Sequence, residues 1–217
     1  MSLNKNSEEW EIVQCIIKNS FSFLYLYSDE SWSQPYIDEA LNNVRPIDFL
    51  NHFINKPWAG PYIDKAAKKA ANQSSFYFID YYSDLPWAQK FLSEACFKAS
   101  DINPFCFLCK FSDKPWAQPY IGEAAKRVAK NNPYYFLLDF SDKPWAQPYI
   151  DEAAKGAVKE DSIDFLHYFS DKSWAKPYID DAAKEAAKKD PKYFLEKWAD
   201  RLPQGINCAL FALGGKK

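Results

Sequence analysis

The sequence predicts an all-α stack of two-helix repeats, and three observations predict it. Trp58, Trp87, Trp116, Trp145 and Trp174 are each 29 residues apart, with Trp32 ahead of them by 26. A fixed period of roughly 20 to 50 residues marks an array in which each period is one supersecondary unit. Around each Trp one segment recurs, seen in full over 133–161 as Pro-Tyr-Tyr-Phe-Leu-Leu-Asp-Phe-Ser-Asp-Lys-Pro-Trp-Ala-Gln-Pro-Tyr-Ile-Asp-Glu-Ala-Ala-Lys-Gly-Ala-Val-Lys-Glu-Asp. Within it, two apolar stripes at helical spacing flank a proline-rich corner.

In chain order, residues 1–19 read as an N-terminal capping helix, of which 7–18 look like half a unit. Six helical-hairpin repeats follow at 20–45, 46–74, 75–103, 104–132, 133–161 and 162–190, and 191–217 is a degenerate C-terminal capping repeat with Pro203 in the Trp position. Atypical ends suit an array, because each outermost unit has one stacking face without a neighbour.

The first half of each unit, helix A, opens on Ser20, Pro46, Ser75, Pro104, Pro133, Ser162 or Pro191. Ser favours a helix cap and Pro the first turn. Three positions on stands an unbroken column, Phe23, Phe49, Phe78, Phe107, Phe136, Phe165 and Phe194, followed by Leu or Ile. Four positions after that Phe comes a second aromatic, Tyr27, Phe53, Tyr82, Phe111, Phe140, Phe169 or Trp198. Positions i, i+1 and i+4 share one helical face, the predicted buried one.

Helix A then meets Ser-Asp-Lys-Pro-Trp-Ala, where Pro stops simple continuation and Asp142 or its equivalents are expected to cap the next turn. Helix B follows, with Pro35, Pro61, Pro119, Pro148 or Pro177 in its first turn, an acidic pair such as Asp151-Glu152 behind it, and Lys155 and Lys159 near its end. Acid early and base late both oppose the helix dipole favourably. Its buried stripe is predicted as Ile150, Ala153, Ala154 and Ala157, and the alanines allow close helix approach. The Trp is expected to plug the corner against the next unit. A hairpin of 29 residues is too small to stand alone, so its stability must come from neighbours.

This pattern resembles the α-solenoid class of helical-hairpin arrays that includes tetratricopeptide, pentatricopeptide and HEAT-like repeats. The likeness is architectural: it implies a right-handed or superhelical stack of about seven two-helix repeats read as one elongated domain. The period of 29 is shorter than the roughly 34 of the tetratricopeptide unit or the roughly 40 to 47 of HEAT, and no family's functional residues are carried over.

Apolar residues make up 47% and aromatics 18% of the 217 residues, enough for a continuous core and far from a disordered composition. A net charge of −2 draws neither a polyanion nor an acidic membrane as a whole. No stretch approaches the roughly 20 apolar residues of a membrane span, and residues 1–10 do not read as a secretory start, so a soluble, cytoplasmic protein without a membrane partner is expected. Five cysteines at irregular positions argue for a reducing compartment.

No catalytic constellation is found, and the expectation is a non-enzyme with no cofactor and no metal. His52 and His167 lie 115 residues apart. Cys106 and Cys109 form a lone Cys-x-x-Cys on a predicted helix, without the second ligand pair a structural zinc needs. Asp151-Glu152 recurs from unit to unit, as helix ends do and as a unique acid–base pair does not.

What varies is the outer face of helix A. Three columns at i, i+3 and i+4 change from copy to copy: Ser22, Asp48, Tyr77, Cys106, Tyr135, Asp164, Tyr193; Tyr25, Asn51, Asp80, Cys109, Leu138, His167, Glu196; and Leu26, His52, Tyr81, Lys110, Asp139, Tyr168, Lys197. Such columns, when aligned, make the extended surface that repeat arrays bind with, and tyrosine is a favoured contact residue. The candidate partner-binding residues are Tyr77, Tyr81, Lys110, Tyr135, Leu138, Asp139, His167 and Tyr168. A protein or peptide is the expected partner. The alternatives are an RNA-binding array, disfavoured by the carboxylates in the columns, and a structural protein that self-associates end to end through residues such as Phe211 and Leu213.

Overall fold

The computed structural model describes residue 14 and residues 18–198; most of the half-unit predicted over 7–18, and the seventh copy beyond Trp198 with Pro203, Phe211 and Leu213, lie outside the described residues. Among the described residues all regular structure is helical, thirteen α-helices with short 3₁₀ segments at the corners. Contacts divide the chain into two compact units, Met1–Ala99 and Ser100–Lys217.

The first unit holds α1 (Ser20–Tyr27), α2 (Ile37–Leu41), α3 (Pro46–Phe53), α4 (Gly60–Gln73), α5 (Ser75–Tyr82) and most of α6 (Gln89–Ile102). The second holds α7 (Pro104–Phe111), α8 (Gln118–Asn131), α9 (Pro133–Phe140), α10 (Ile150–Glu160), α11 (Ser162–Phe169), α12 (Ile179–Lys189) and α13 (Pro191–Trp198). Odd-numbered helices are the A helices of the sequence and even-numbered ones the B helices. In the second unit each B helix packs on its own A helix and on the A helix that follows, and α10 also packs on α8 and α12. In the first, α4 likewise lies between α3 and α5.

Every A helix spans eight residues. Numbering the A positions from its first residue, the phenylalanines at position 4 are all buried, as are Leu24, Leu50, Ile79, Leu108, Leu137 and Leu166 beside them. Burial of each such ring stabilises by roughly 2 to 3 kcal/mol before entropy is counted. The B stripe is buried as predicted, with Ala153, Ala154 and Ala157 almost fully excluded from solvent.

Neighbouring A helices meet through position 2. Phe21 packs on Phe53 at 5.7 Å, Phe105 on Phe140 at 5.6 Å and Tyr134 on Phe169 at 5.6 Å, in each case position 2 of one copy against position 8 of the next. One geometry recurring at three steps means that one stacking solution is being repeated.

Several local expectations are corrected. The opening Ser or Pro is the first helical residue, and the residue before it is the cap: Asn103 accepts from the Cys106 amide, Asp161 from Ile163 and Asp164, and Asp190 from Tyr193. Ser20, Ser75 and Ser162 are instead buried small residues. Asp142 caps nothing; Lys143 is the residue ahead of the corner turn, and no side chain caps that turn. The turn is 3₁₀, and in three copies a 3₁₀ segment takes in the second proline, over Gln34–Tyr36, Pro144–Tyr149 and Ser173–Tyr178, so α2, α10 and α12 start later than their prolines.

The Trp column also behaves differently. Every ring packs against its own A helix, half-buried from Trp58 to Trp174 and exposed at Trp32: Trp145 lies 5.3 Å from Phe140, Trp174 5.4 Å from Phe169 and Trp58 5.7 Å from Phe53. The indole N–H groups of Trp58, Trp145 and Trp174 are buried without a partner among the described residues, so ring packing and not donation keeps the column. The Ala after each Trp, from Ala59 to Ala175, is the fully buried residue of the corner.

Candidate partner-binding face

The register of an eight-residue helix with buried positions 4, 5 and 8 forces positions 3, 6 and 7 outward. Those are the three variable columns, and all of their members are exposed except Ser22 and Asp48, which are half-buried. The apolar content of this face is substantial: Tyr77 is 59% exposed, Tyr81 57%, Tyr135 56%, and Leu138 and Tyr168 47% each.

In the first unit Tyr77 and Tyr81, one helical turn apart on α5, stack nearly parallel at 6.4 Å. Tyr25 and Leu26 extend the exposed apolar surface on α1. Other column members of this unit are tied into the fold. Asn51 accepts a hydrogen bond from the buried Tyr82 phenol, and Asp48 pairs with Arg45 at 2.6 Å. His52 packs edge-on against Phe21 at 4.9 Å.

In the second unit the rings form a continuous band over three A helices. Phe105 of α7 contacts Tyr135 at 6.4 Å; Tyr135 contacts Tyr134 at 5.5 Å; Tyr134 contacts Tyr168 of α11 at 5.7 Å; and Tyr168 contacts His167 at 4.7 Å, all edge to face. Sequence reasoning placed Tyr135, His167 and Tyr168 on the face but missed Phe105 and Tyr134, which link them. The signal was there: the position-2 column, Phe21, Ile47, Phe76, Phe105, Tyr134 and Ile163, is apolar until Lys192. Burial, with Tyr168 and Asp164 close by, pushes the Tyr134 phenol up to about 12. Tyr134 is therefore mainly a packing residue that holds the more exposed rings in line. Beside the band a shallow cleft of about 350 Å³ is lined by Asn103, Phe105, Cys106, Asn132 and Tyr135.

No family model, curated protein or solved structure matches the chain. The face must be read from its own chemistry.

On the B helices several cations pair with carboxylates, as in Lys90 with Asp64 at 2.5 Å, Lys155 with Asp151 at 2.8 Å, Lys188 with Glu185 at 2.7 Å and Arg127 with Asp101. On the A face Asp139 and Asp164 are exposed and take part in no ion pair among the described residues. Lys110 is exposed on α7. Cys106 and Cys109 are exposed free thiols, and partial burial, Asp139 and Cys106 raise the Cys109 thiol, which makes it a poorer nucleophile. Among the described residues no group of three or more His, Cys, Asp or Glu could hold a metal ion, and no helix is long and apolar enough to cross a membrane.

Proposed function

We propose that this chain is a non-enzymatic scaffold of the α-solenoid kind that binds a protein or peptide along positions 3, 6 and 7 of its A helices. One observation carries the reading. The ring band of the second unit leaves Tyr135 and Tyr168 about half exposed while the phenylalanines next to them are fully buried. Contiguous exposed apolar surface is rare on monomers and marks interaction sites, and tyrosine anchors contacts with little loss of side-chain entropy. The common geometry of the three position-2 contacts supports continued stacking of the copies. The free thiols of Cys96, Cys106 and Cys109 fit a reducing, cytoplasmic setting, which fractionation of the native cell would test.

The binding claim is tested by capture from native lysate with the intact chain and with the triple variant Tyr77→Ala, Tyr135→Ala, Tyr168→Ala. Loss of capture at near-unchanged thermal stability is expected. A steep fall in stability instead would make those rings packing residues. The solenoid claim is tested by small-angle scattering: a compact ball of 217 residues has a radius of gyration of about 17 Å, and a stack must clearly exceed it.

A further inference from the structure

We infer that the segment held by the second unit is an extended peptide bearing lysine or arginine side chains, an inference that rests on the A face being the partner surface. Two seats of the same kind lie on adjacent helices. On α9, Tyr135 and Asp139 are four residues apart, and on α11, Asp164 and Tyr168 are four apart; at that spacing two side chains share one helical face. Each seat therefore offers an exposed aromatic ring beside a carboxylate that has no cation of its own. An ammonium or guanidinium within about 6 Å of a tyrosine ring is attracted by its quadrupole, and a neighbouring carboxylate adds to that attraction.

The spacing suits an extended chain. Tyr134 of α9 meets Tyr168 of α11 at 5.7 Å, so the two seats are neighbours; on a strand, side chains two residues apart share one face at about 7 Å and those four apart at about 13 Å, so a peptide with a basic residue at every second position presents cations to both. The cleft lined by Asn103 and Asn132 adds carboxamides, which both donate to and accept from a peptide main chain. Asn132 leaves its own helix end uncapped, so its amide is not committed there. Phosphates are disfavoured by the same two carboxylates.

The test is fluorescence anisotropy of the full chain with labelled peptides of about twelve residues that alternate serine with lysine, glutamine or glutamate, and with an oligouridylate of equal length. The lysine peptide should bind at least about tenfold more tightly than the glutamine one, with the glutamate peptide and the oligouridylate weaker still. The double variant Asp139→Asn, Asp164→Asn should lose about three- to tenfold for lysine alone, as two partly exposed ion pairs allow, and added salt should weaken the wild type more than the variant. Equal affinity for lysine and glutamine peptides, both lost in Tyr135→Ala, Tyr168→Ala, would overturn this inference and leave the partner face standing. Tightest binding of the oligouridylate, or peptide binding untouched by the tyrosine changes, would overturn both, and no binding by any peptide would overturn the inference.

Discussion

The phenol of Tyr178 donates a hydrogen bond to Asp151 at 2.7 Å, tying the start of one B helix to the start of the B helix before it. Tyr62 reaches Asp38 in the same register in the first unit, where burial and that carboxylate raise its pKa. Where the third copy carries Phe91 in place of the tyrosine, Lys90 takes the carboxylate of Asp64 instead, at 2.5 Å. Where the fourth copy has Gly122 in place of the Asp, a Cβ built there would lie 3.2 Å from the Tyr149 hydroxyl. The latch between copies is thus kept, replaced or vacated according to two positions of the Pro-Tyr-Ile-Asp segment.

Tyr178→Phe should cost about 0.5 to 1 kcal/mol, the low end for a hydrogen bond to a charged group because the pair is exposed. A double-mutant cycle with Asp151→Asn in urea denaturation checks it, and a coupling energy near zero would show the latch to be idle.

Gly122→Asp supplies the vacated carboxylate. The Tyr149 hydroxyl is the far end of a flexible side chain, so it can yield the few tenths of an ångström the new Cβ needs. Tyr149→Phe should then cost about 0.5 to 1 kcal/mol in the Gly122→Asp background and little in the wild type. Equal costs in both backgrounds, measured by the same denaturation, would contradict the latch register.

At the corner, the Gln147 amide donates to the Ser141 carbonyl at 2.9 Å, and Gln118 does the same to Ser112 and Gln34 to Ser28. Each closes the end of an A helix onto the following turn. Gln147→Ala should destabilise by about 1 kcal/mol. The sixth copy has Lys176 at this place, and Lys176→Gln should add a few tenths to about 1 kcal/mol by the same bond. Calorimetric midpoints of the two variants, moving in opposite directions, are the check.

How much of this was legible in the sequence follows from which forces repeat. The Phe column, the Ala stripe and the outward columns were readable, because burial acts on every copy alike and prints a period. The role of Trp145 was misread because a large ring next to Pro satisfies several packings, and only coordinates show it turned toward its own Phe140. The caps were displaced by one residue because Ser and Pro also suit the first helical position. The ring band escaped notice because Tyr134 matters through Phe169, a residue of the next copy, and contacts between copies leave no local spacing to read.

Alkaline pH offers a separate test. Burial, and for Tyr178 also Asp151, push the phenols of Tyr82, Tyr134 and Tyr178 up to about 12, above the ordinary tyrosine value of about 10. A folded-state pKa raised in this way means stability that is fully present below about pH 10 and is lost as pH rises through about 12. Unfolding free energy should fall across that window, and less steeply in Tyr178→Phe. Parallel curves for the two proteins would show that Tyr178 ionises alike in the folded and unfolded chains.

Two adjacent rings play opposite parts, Tyr135 spare to the fold and Phe136 required by it. Chemical denaturation of Tyr135→Ala beside Phe136→Ala tests this most directly, since the first ring is 56% exposed and the second fully buried. The expected result is a loss of about 1 kcal/mol or less for Tyr135→Ala and about 3 to 5 kcal/mol for Phe136→Ala. Losses of equal size would mean that the outward face is held by the fold and is not free to meet a partner.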